Sequence, residues 1–412
     1  FGLRMTLFVP AETLAVAFFW RGVNQAKAQN DAPITRSPLH PHTASFLLAG
    51  FFLGAGIYIY AAGRLLPLLF VLFVPLWFWQ DREARRLWRE VVLMAAAALA
   101  TAVPLLLYFA RYPYFFVFRM AYVANKGLGT VEGRPFLTWL NNVGRVVRGL
   151  FWQGETHLRH NLPGRPFLDP IQAGLFVIGL VVNGRAWRNP RAQFLFLWLL
   201  VMLLPTIMSG DAPHFGRMSG AVPVVAILLA LGLAKIGEIV ASLPLSANRK
   251  RLLLFTVYGS LLTVSLFFTV RDYFFRYARL PQLAADFYLP DWELGQYAAA
   301  QPDDATLYFT PTQEEMATIY FALADPERLR SYSGGQGLVP LGEEGKTAVY
   351  LLRPTAAQAL AELQAAFPDG FVAETRPNFI AFQVPTTAPR LLVENQTAVS
   401  FADTILLRGW QT

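Results

Sequence analysis

The stretch TASFLLAGFFLGAGIYIYAAGRLLPLLFVLFVPLWFWQDREARRLWREVVLMAAAALATAVPLLLYFA, residues 43–110, decides the fold. Three uncharged apolar runs, 43–62, 65–80 and 91–110, are parted by a tiny connection carrying Arg64 and by a loop crowded with arginine. The pattern recurs downstream at 170–184, 192–210, 218–234 and 252–270. The longer runs approach the roughly 20 apolar residues a helix needs to cross a bilayer core. The shorter ones, 65–80, 170–184 and 218–234, must tilt, thin the bilayer or lean on neighbours. The sequence therefore predicts a polytopic α-helical membrane protein with about seven full spans. Residues 1–20 read as the end of an earlier span, interrupted by Arg4, Pro10 and Glu12.

Charge predicts the orientation. Loops 80–90, 185–191 and 246–251 hold Arg82, Arg85, Arg86 and Arg89, then Arg185, Arg188 and Arg191, then Arg249, Lys250 and Arg251. Short loops rich in Lys and Arg are retained on the cytoplasmic side. The outer connections are then 63–64, 111–169, 211–217 and everything after Arg271. The polar, proline-bearing segment 21–42 becomes an inner linker.

Hydrophobic residues make up 55% and charged residues 15%, a membrane-protein balance. The net charge of +8 divides unevenly. Residues 1–270 carry 25 basic and 10 acidic side chains, and residues 271–412 carry 10 and 17. A basic membrane part beside an acidic tail points to anionic lipid or phosphate and away from nucleic acid. Absence of cysteine excludes disulfides and thiolate metal sites.

Loop 111–169 is too long for a plain connection. Within it Phe136, Leu140, Val143, Val147 and Leu150 recur at helical spacing, and Asn141, Arg145 and Arg148 share another face. This predicts an interfacial amphipathic helix near 136–152. The following HLRHNLPGRPFLDP, 157–170, is too rich in Pro and Gly to be helical. Beyond Arg271, strands at 305–309, 347–352 and 378–384 alternate with helices at 312–323 and 355–366. They predict an extracytoplasmic α/β domain over 271–388. Residues 389–412 read as the start of a further, truncated β-rich unit, and Asn395-Gln396-Thr397 matches a glycosylation sequon. The chain starts without Met and stops after a strand-like run, so both ends read as cut from a longer protein.

Three places put cations where topology disfavours them: Arg64, the loop SGDAPHFGRM at 209–218 with Asp211, His214 and Arg217, and loop 111–169 with eight basic residues against three acidic ones. Anionic ligands are one reason for such cations. Each has a plainer reading. Arg64 can snorkel to headgroups. Asp211 and Arg217 can pair across a turn. Arg145 and Arg148 can be the solvated side of an interfacial helix. His157 and His160, at i and i+3, read as hydrogen-bonded loop residues rather than a metal pair. No nucleophile, phosphate-loop or metal-spaced motif is present, so no cofactor is expected and no divalent metal is indicated.

HNLPGRPFLDP at 160–170, GDAPHFGRMSGAVPV at 210–224 and YIYAAGRLLPLL at 58–69 resemble the bacterial membrane glycosyltransferases of family 39. These are related to protein O-mannosyltransferases and the lipid A aminoarabinose transferase, and have the GT-C fold. The resemblance covers about 43–270, with weaker support to about 385. It implies a GT-C-like bundle in a bacterial plasma membrane, and inverting transfer of a sugar from a polyprenyl-phosphate-linked donor to an acceptor hydroxyl on the outer face. It implies a glycan, lipid or protein acceptor and a general-base carboxylate in a first outer loop preceding Phe1. Carried onto this chain, Arg64, His214 and Arg217 are expected to bind the donor phosphate. Arg145, Arg148, His160, Arg165, Asp169 and Asp211 are expected to shape the sugar or acceptor cavity. A transporter or flippase of lipid-linked glycans is the main alternative. Scarce charge within the spans counts against it, because alternating access favours polar groups at the midplane. A non-catalytic glycan-binding scaffold is a third reading.

Overall fold

The structure, a computed structural model, describes residues 3–29, 41–118, 134–310, 317–323, 325–336, 339–343, 345–388, 395–401 and 405–410. Most of the linker around Pro33 and Pro38, the middle of loop 111–169, the first half of the 312–323 helix and the start of the 389–412 segment lie outside them. The chain divides into two compact units, Phe1–Leu280 and Pro281–Thr412. The fold is a polytopic helical membrane bundle followed by a small α/β domain.

The helical unit comprises α1 (Leu3–Gln29), α2 (Pro41–Ile59), α3 (Leu66–Gln80), α4 (Trp88–Arg111), α5 (Pro135–Phe151), α6 (Pro170–Arg185), α7 (Pro190–Ile207), α8 (Val222–Ser242) and α9 (Ala247–Val270). Proline stands in the first turn of α3, α5, α6, α7 and α8. There its missing N–H costs nothing and its fixed φ suits the helix. Among the described residues seven helical segments are long and apolar enough to cross a membrane, and α6 is a shorter apolar helix.

Residues 21–29 correct the sequence reading: they continue α1 and are not linker. Their polar side chains find partners at that end of the bundle. Ser45 Oγ donates to Gln25 Oε1 at 2.8 Å, and Arg191 Nη2 donates to Asn24 Oδ1 at 2.7 Å. Lys27 lies 3.8 Å from Asp81. The last span also runs past 270. A π-helical turn, Arg271–Arg276, and a 3-10 turn, Tyr277–Arg279, extend α9.

Two packing devices hold the bundle. Phe19 meets Phe73 and Trp77 edge to face, Phe73 meets Phe194 edge to face with centroids 4.9 Å apart, and Phe73 stacks on Trp77. Elsewhere backbones touch. A Cβ on Gly179 of α6 would sit 1.9 Å from the Leu228 carbonyl oxygen of α8, and one on Gly232 of α8 would sit 2.1 Å from that of Leu175. Lipid offers no hydrophobic drive between helices, so such close approach supplies the attraction. One buried group stands apart. The Glu12 carboxyl of α1 is fully enclosed beside Trp198 and Gly220, and neither oxygen makes a well-formed hydrogen bond.

The second unit is built on a sheet of order β2-β1-β3-β5-β4. The strands are β1 (Thr306–Thr310), β2 (Leu329–Ser331), β3 (Ala348–Leu352), β4 (Phe371–Thr375) and β5 (Ile380–Val384). β1 runs parallel to β2 and β3, and β5 runs antiparallel to β3 and β4. Alternation sends Leu307, Phe309, Val349 and Leu351 to one face, against helix α10 (Leu289–Ala299) and α11 (Ala317–Ala322). Tyr308, Tyr350 and Leu352 go to the other, against α12 (Ala357–Ala366). The central strands β1 and β3 are buried at every position, as covered parallel strands are. β6 (Asn395–Phe401) and β7 (Ile405–Trp410) form a separate antiparallel pair.

Candidate functional site

The loops that carry the unusual cations are fastened to one end of the helical unit. α5 is the amphipathic helix near 136–152. It buries the stripe Thr138, Asn142, Val146 and Gly149, while Phe136, Leu140 and Val147 stay exposed with Trp139 and Trp152. Phe136, Leu140 and Val147 thus leave an exposed apolar side, while Val143 and Leu150 of the expected apolar face pack inward, Val143 against Ile207 and Ala212 and Leu150 against Phe215 and Met218. Asn142 makes the fastening. Its Nδ2 donates to the carbonyl of Ile207, an acceptor in the last turn of α7, at 2.9 Å, and to that of Ser209, which also accepts the Ala212 N–H, at 3.0 Å.

The segment after α5 folds back on itself. Gly154 N–H donates to Gly164 O, Gly164 N–H to Glu155 O, and Leu168 N–H to Leu150 O. A Cβ on Gly154 would lie 1.9 Å from Arg165 O, so only glycine lets the two limbs touch. The closed loop presents Glu155, His157 and His160 to the loop between α7 and α8, which presents Asp211, His214 and Arg217.

The two loops meet in a tight polar cluster. His160 Nδ1 lies 3.1 Å from Glu155 Oε1, and His214 Nδ1 lies 4.0 Å from Glu155 Oε2. That second oxygen accepts the Phe215 N–H at 3.0 Å. The His160 ring is 4.7 Å from both His157, on which it stacks, and His214, to which it is tilted, so three of the five histidines cluster together. Arg217 forms an ion pair with Asp211, which also accepts from Ser209 Oγ. His214 Nδ1 accepts the Arg217 N–H at 3.3 Å, and Nε2 lies 3.8 Å from Asp211. A cavity of about 320 Å³ opens on this cluster, and Arg145 and Arg148 of α5 line it beside Glu155, His157, Asp211 and His214.

Electrostatics divide the roles. Burial, followed by the charge of Arg217 and the His160 ring, pushes the His214 imidazole down to about 3. It is neutral at ordinary pH, which revises the sequence expectation of a cation there. Partial burial alone would raise the Asp211 carboxyl. The Ser209 hydroxyl, Arg217 and His214 outweigh it and hold Asp211 below the usual carboxylate value.

The other predicted residues fall elsewhere. Arg64 sits at the same end of the bundle, since Gly63 and Gly220 both pack on Phe8. Its guanidinium turns away, donating from Nη1 to Phe116 O at 2.9 Å and stacking on Phe109 and Phe116 at 4.9 and 5.1 Å. Among the described residues no hydrogen bond or ion pair joins it to His214 or Arg217. Asp169 caps α6 in a reciprocal box with Gln172 and accepts from Ser265 Oγ, an architectural role. Arg165 leaves the cluster and pairs with Asp272 at 3.0 Å.

Glu155 is the residue the sequence did not single out. Its ligand-type atoms, with those of His160 and His214, lie within 4.8 Å of one another. Glu155 Oε1 and His160 Nδ1 are buried without a well-formed hydrogen bond. One carboxylate and two imidazoles, one held neutral, form the kind of donor set a zinc-like divalent ion takes. The only signal in the sequence was an acidic residue in a strongly basic loop. His214 stands 54 residues beyond His160, so no local spacing could show the trio.

No protein-family model matches this chain, and no curated protein matches it. Among solved structures, ArnT from Cupriavidus metallidurans in the apo state is similar at 16% identity and a TM-score of 0.49, over 93% of this chain and 74% of that one. ArnT from the same organism bound to undecaprenyl phosphate is similar at 14% identity and a TM-score of 0.47, over 92% and 74%.

Proposed function

We propose that the chain is a membrane glycosyltransferase that moves a sugar from a polyprenyl-phosphate-linked donor to an acceptor hydroxyl. The observation that carries this reading is the cavity at one end of the spans. Arg145, Arg148, Asp211 and His214 line it, and Arg217 pairs with that same Asp211. A lipid phosphate must stop at that depth, because its tail stays in hydrocarbon and its head cannot enter it. As the sugar leaves, negative charge grows on the phosphate, and preorganised guanidinium groups stabilise it. Arg217 and His214 serve the phosphate, His214 as a neutral hydrogen-bonding group. Arg145 and Arg148 line the space for sugar or acceptor. The acceptor hydroxyl also needs a carboxylate to take its proton. Glu155 is engaged by imidazoles and Asp211 by Arg217, so neither is assigned that role.

In the same reading the cavity faces outward. The arginine-rich loops 80–90, 185–191 and 246–251 stay in the cytoplasm, and the α/β unit is extracytoplasmic. Cysteines placed at Arg188 and Gln336 test this: an impermeant reagent on intact cells is expected to label only the second, and equal labelling overturns the orientation.

Function is tested in membranes carrying the full-length protein, a labelled polyprenyl-phosphate sugar and candidate acceptors. Loss of one charge-assisted contact costs about 1.5–3 kcal/mol, roughly ten- to a hundredfold in affinity. Arg217→Ala is expected to weaken donor use by that factor, and Arg217→Lys to recover part of it, since a point charge replaces a planar fork. No transfer by the wild type, or an unchanged Arg217→Ala, refutes the proposal.

A further inference from the structure

A second cavity, of about 410 Å³, lies beside the first, and both include Gln153. Its chemistry differs. The π-helical turn at the end of α9 places Asp272 inward and almost fully buried, with Arg271 and Arg276 on either side. Arg165 Nε donates to Asp272 Oδ2 at 3.0 Å. Arg271 donates from Nε and Nη2 to Oδ1 at 2.9 and 2.8 Å, and Arg276 Nη1 donates to the same oxygen at 3.3 Å. Three guanidinium groups thus converge on one carboxylate. The other acid of the cavity, Asp169, is committed to Gln172 and Ser265.

A single arginine would satisfy Asp272, so the other two positive charges are surplus. They are also open: the side chains of Arg271 and Arg276 are 42% and 58% exposed, against 9% for Asp272. π-helical turns recur at functional sites because they cost stability and re-aim side chains. The surroundings say what kind of anion fits. No residue of α9 is buried, and Leu262, Leu266, Phe267, Phe274 and Phe275 all stand exposed along α9 and the π-helical turn that carries Arg271 and Arg276. A free anion would gain nothing from that apolar flank. A phosphate carried on acyl chains would use both.

We propose that Arg165, Arg271 and Arg276 hold the headgroup of an anionic phospholipid of the surrounding bilayer, its acyl chains lying along α9. Asp272 is the positioning residue that keeps the three cations together. Guanidinium groups bind phosphate oxygens through paired N–H donors, and charge-assisted bonds of this kind are the strong ones. The bound lipid ties α9, which packs sparsely, to the loop between α5 and α6. This site is separate from sugar transfer and does not rest on it.

The test is equilibrium binding of a fluorescent short-chain phosphatidic acid to the full chain in phosphatidylcholine nanodiscs. Saturable binding is expected. Arg271→Gln and Arg276→Gln are each expected to weaken it about tenfold or more. Both residues are exposed, so folding should survive, and an unchanged melting profile checks it. Arg145→Gln, in the other cavity, is expected to bind as wild type does. Inorganic phosphate at millimolar concentration is expected not to compete. Unchanged binding by both arginine variants overturns the site. Loss in Arg145→Gln assigns the lipid to the other cavity and equally overturns it. Competition by inorganic phosphate at the probe's own affinity overturns the choice of a lipid.

Discussion

Asn142 offers the sharpest test of how the site is built. Its side chain is buried, and its amide nitrogen donates to two carbonyls at the end of α7, those of Ile207 and Ser209. Asn142→Ala removes both bonds and strands the Ile207 carbonyl, while Ser209 O keeps the Ala212 N–H at 3.3 Å. A net hydrogen bond contributes about 1 kcal/mol, and an acceptor left buried and unpaired costs about 1–3 kcal/mol. Relaxation and water entry recover part of this, so a loss of about 2–4 kcal/mol is expected. Asn141, one residue earlier, is exposed and is the natural control. Equilibrium unfolding in one detergent is expected to show a clear drop for Asn142→Ala and almost none for Asn141→Ala. Trypsin should also cut faster at Arg217, because the released carbonyls belong to the start of its loop. If the two alanine variants unfold alike and are cut alike, α5 does not anchor the site and the reasoning fails.

Three further outcomes are expected. Chelator-treated protein should take up cobalt or zinc with a ligand-field or competition signal that His160→Ala and Glu155→Gln both diminish. Absence of uptake, or uptake indifferent to both changes, would show that the Glu155, His160 and His214 trio is only a hydrogen-bonded cluster. Arg64→Ala should lower thermal stability by about 1–2 kcal/mol, through the lost bond to Phe116 O and two aromatic stacks, and alter donor use far less than Arg217→Ala; a larger effect on donor use places Arg64 in the phosphate site after all. Gly232→Leu should cost more than about 3 kcal/mol or abolish folding, since its side chain must enter the space of Leu175 O, and a stable, monodisperse variant would refute the backbone contact between α6 and α8.

The spans were legible because their signal is compositional: a run of apolar residues ended by arginines needs no partner to be recognised. α5 was legible because its periodicity is local, and so were β1, β3 and β5, whose apolar runs lie in the buried centre of the sheet. β2 and β4 were not read as strands. One has three residues and the other lies exposed at the sheet edge, and edge strands carry little hydrophobic pattern. The polar end of α1 read as linker because its partners, Ser45, Asp81 and Arg191, belong to other helices. The candidate site divided in the same way. Asp211, His214 and Arg217 stand within one loop and were read together, and Arg145 and Arg148 were seen to share a face. Glu155 gains its importance from a histidine 59 residues away. Arg165 and Asp169 stand close to His160 in sequence, yet a fold-back of the loop sends them to the other cavity.

Glu12 carries a consequence for how the molecule is made. A carboxyl at the centre of an isolated span costs about 3 kcal/mol on insertion scales, and Glu12, the seventh residue of the span Thr6–Ala28, bears part of that. α1 is also the least apolar of the seven membrane-length helices. What encloses Glu12 is Trp198 of α7 and the turn at Gly220, made 186 and 208 residues later in synthesis. During translation α1 is therefore a poor tenant of lipid, held back until its distant neighbours emerge. The insertion machinery must shelter it, or let it slip and re-enter, through the making of six further helices. Replacing Glu12 with leucine would loosen that dependence and let α1 insert alone, at the expense of the order in which the bundle closes.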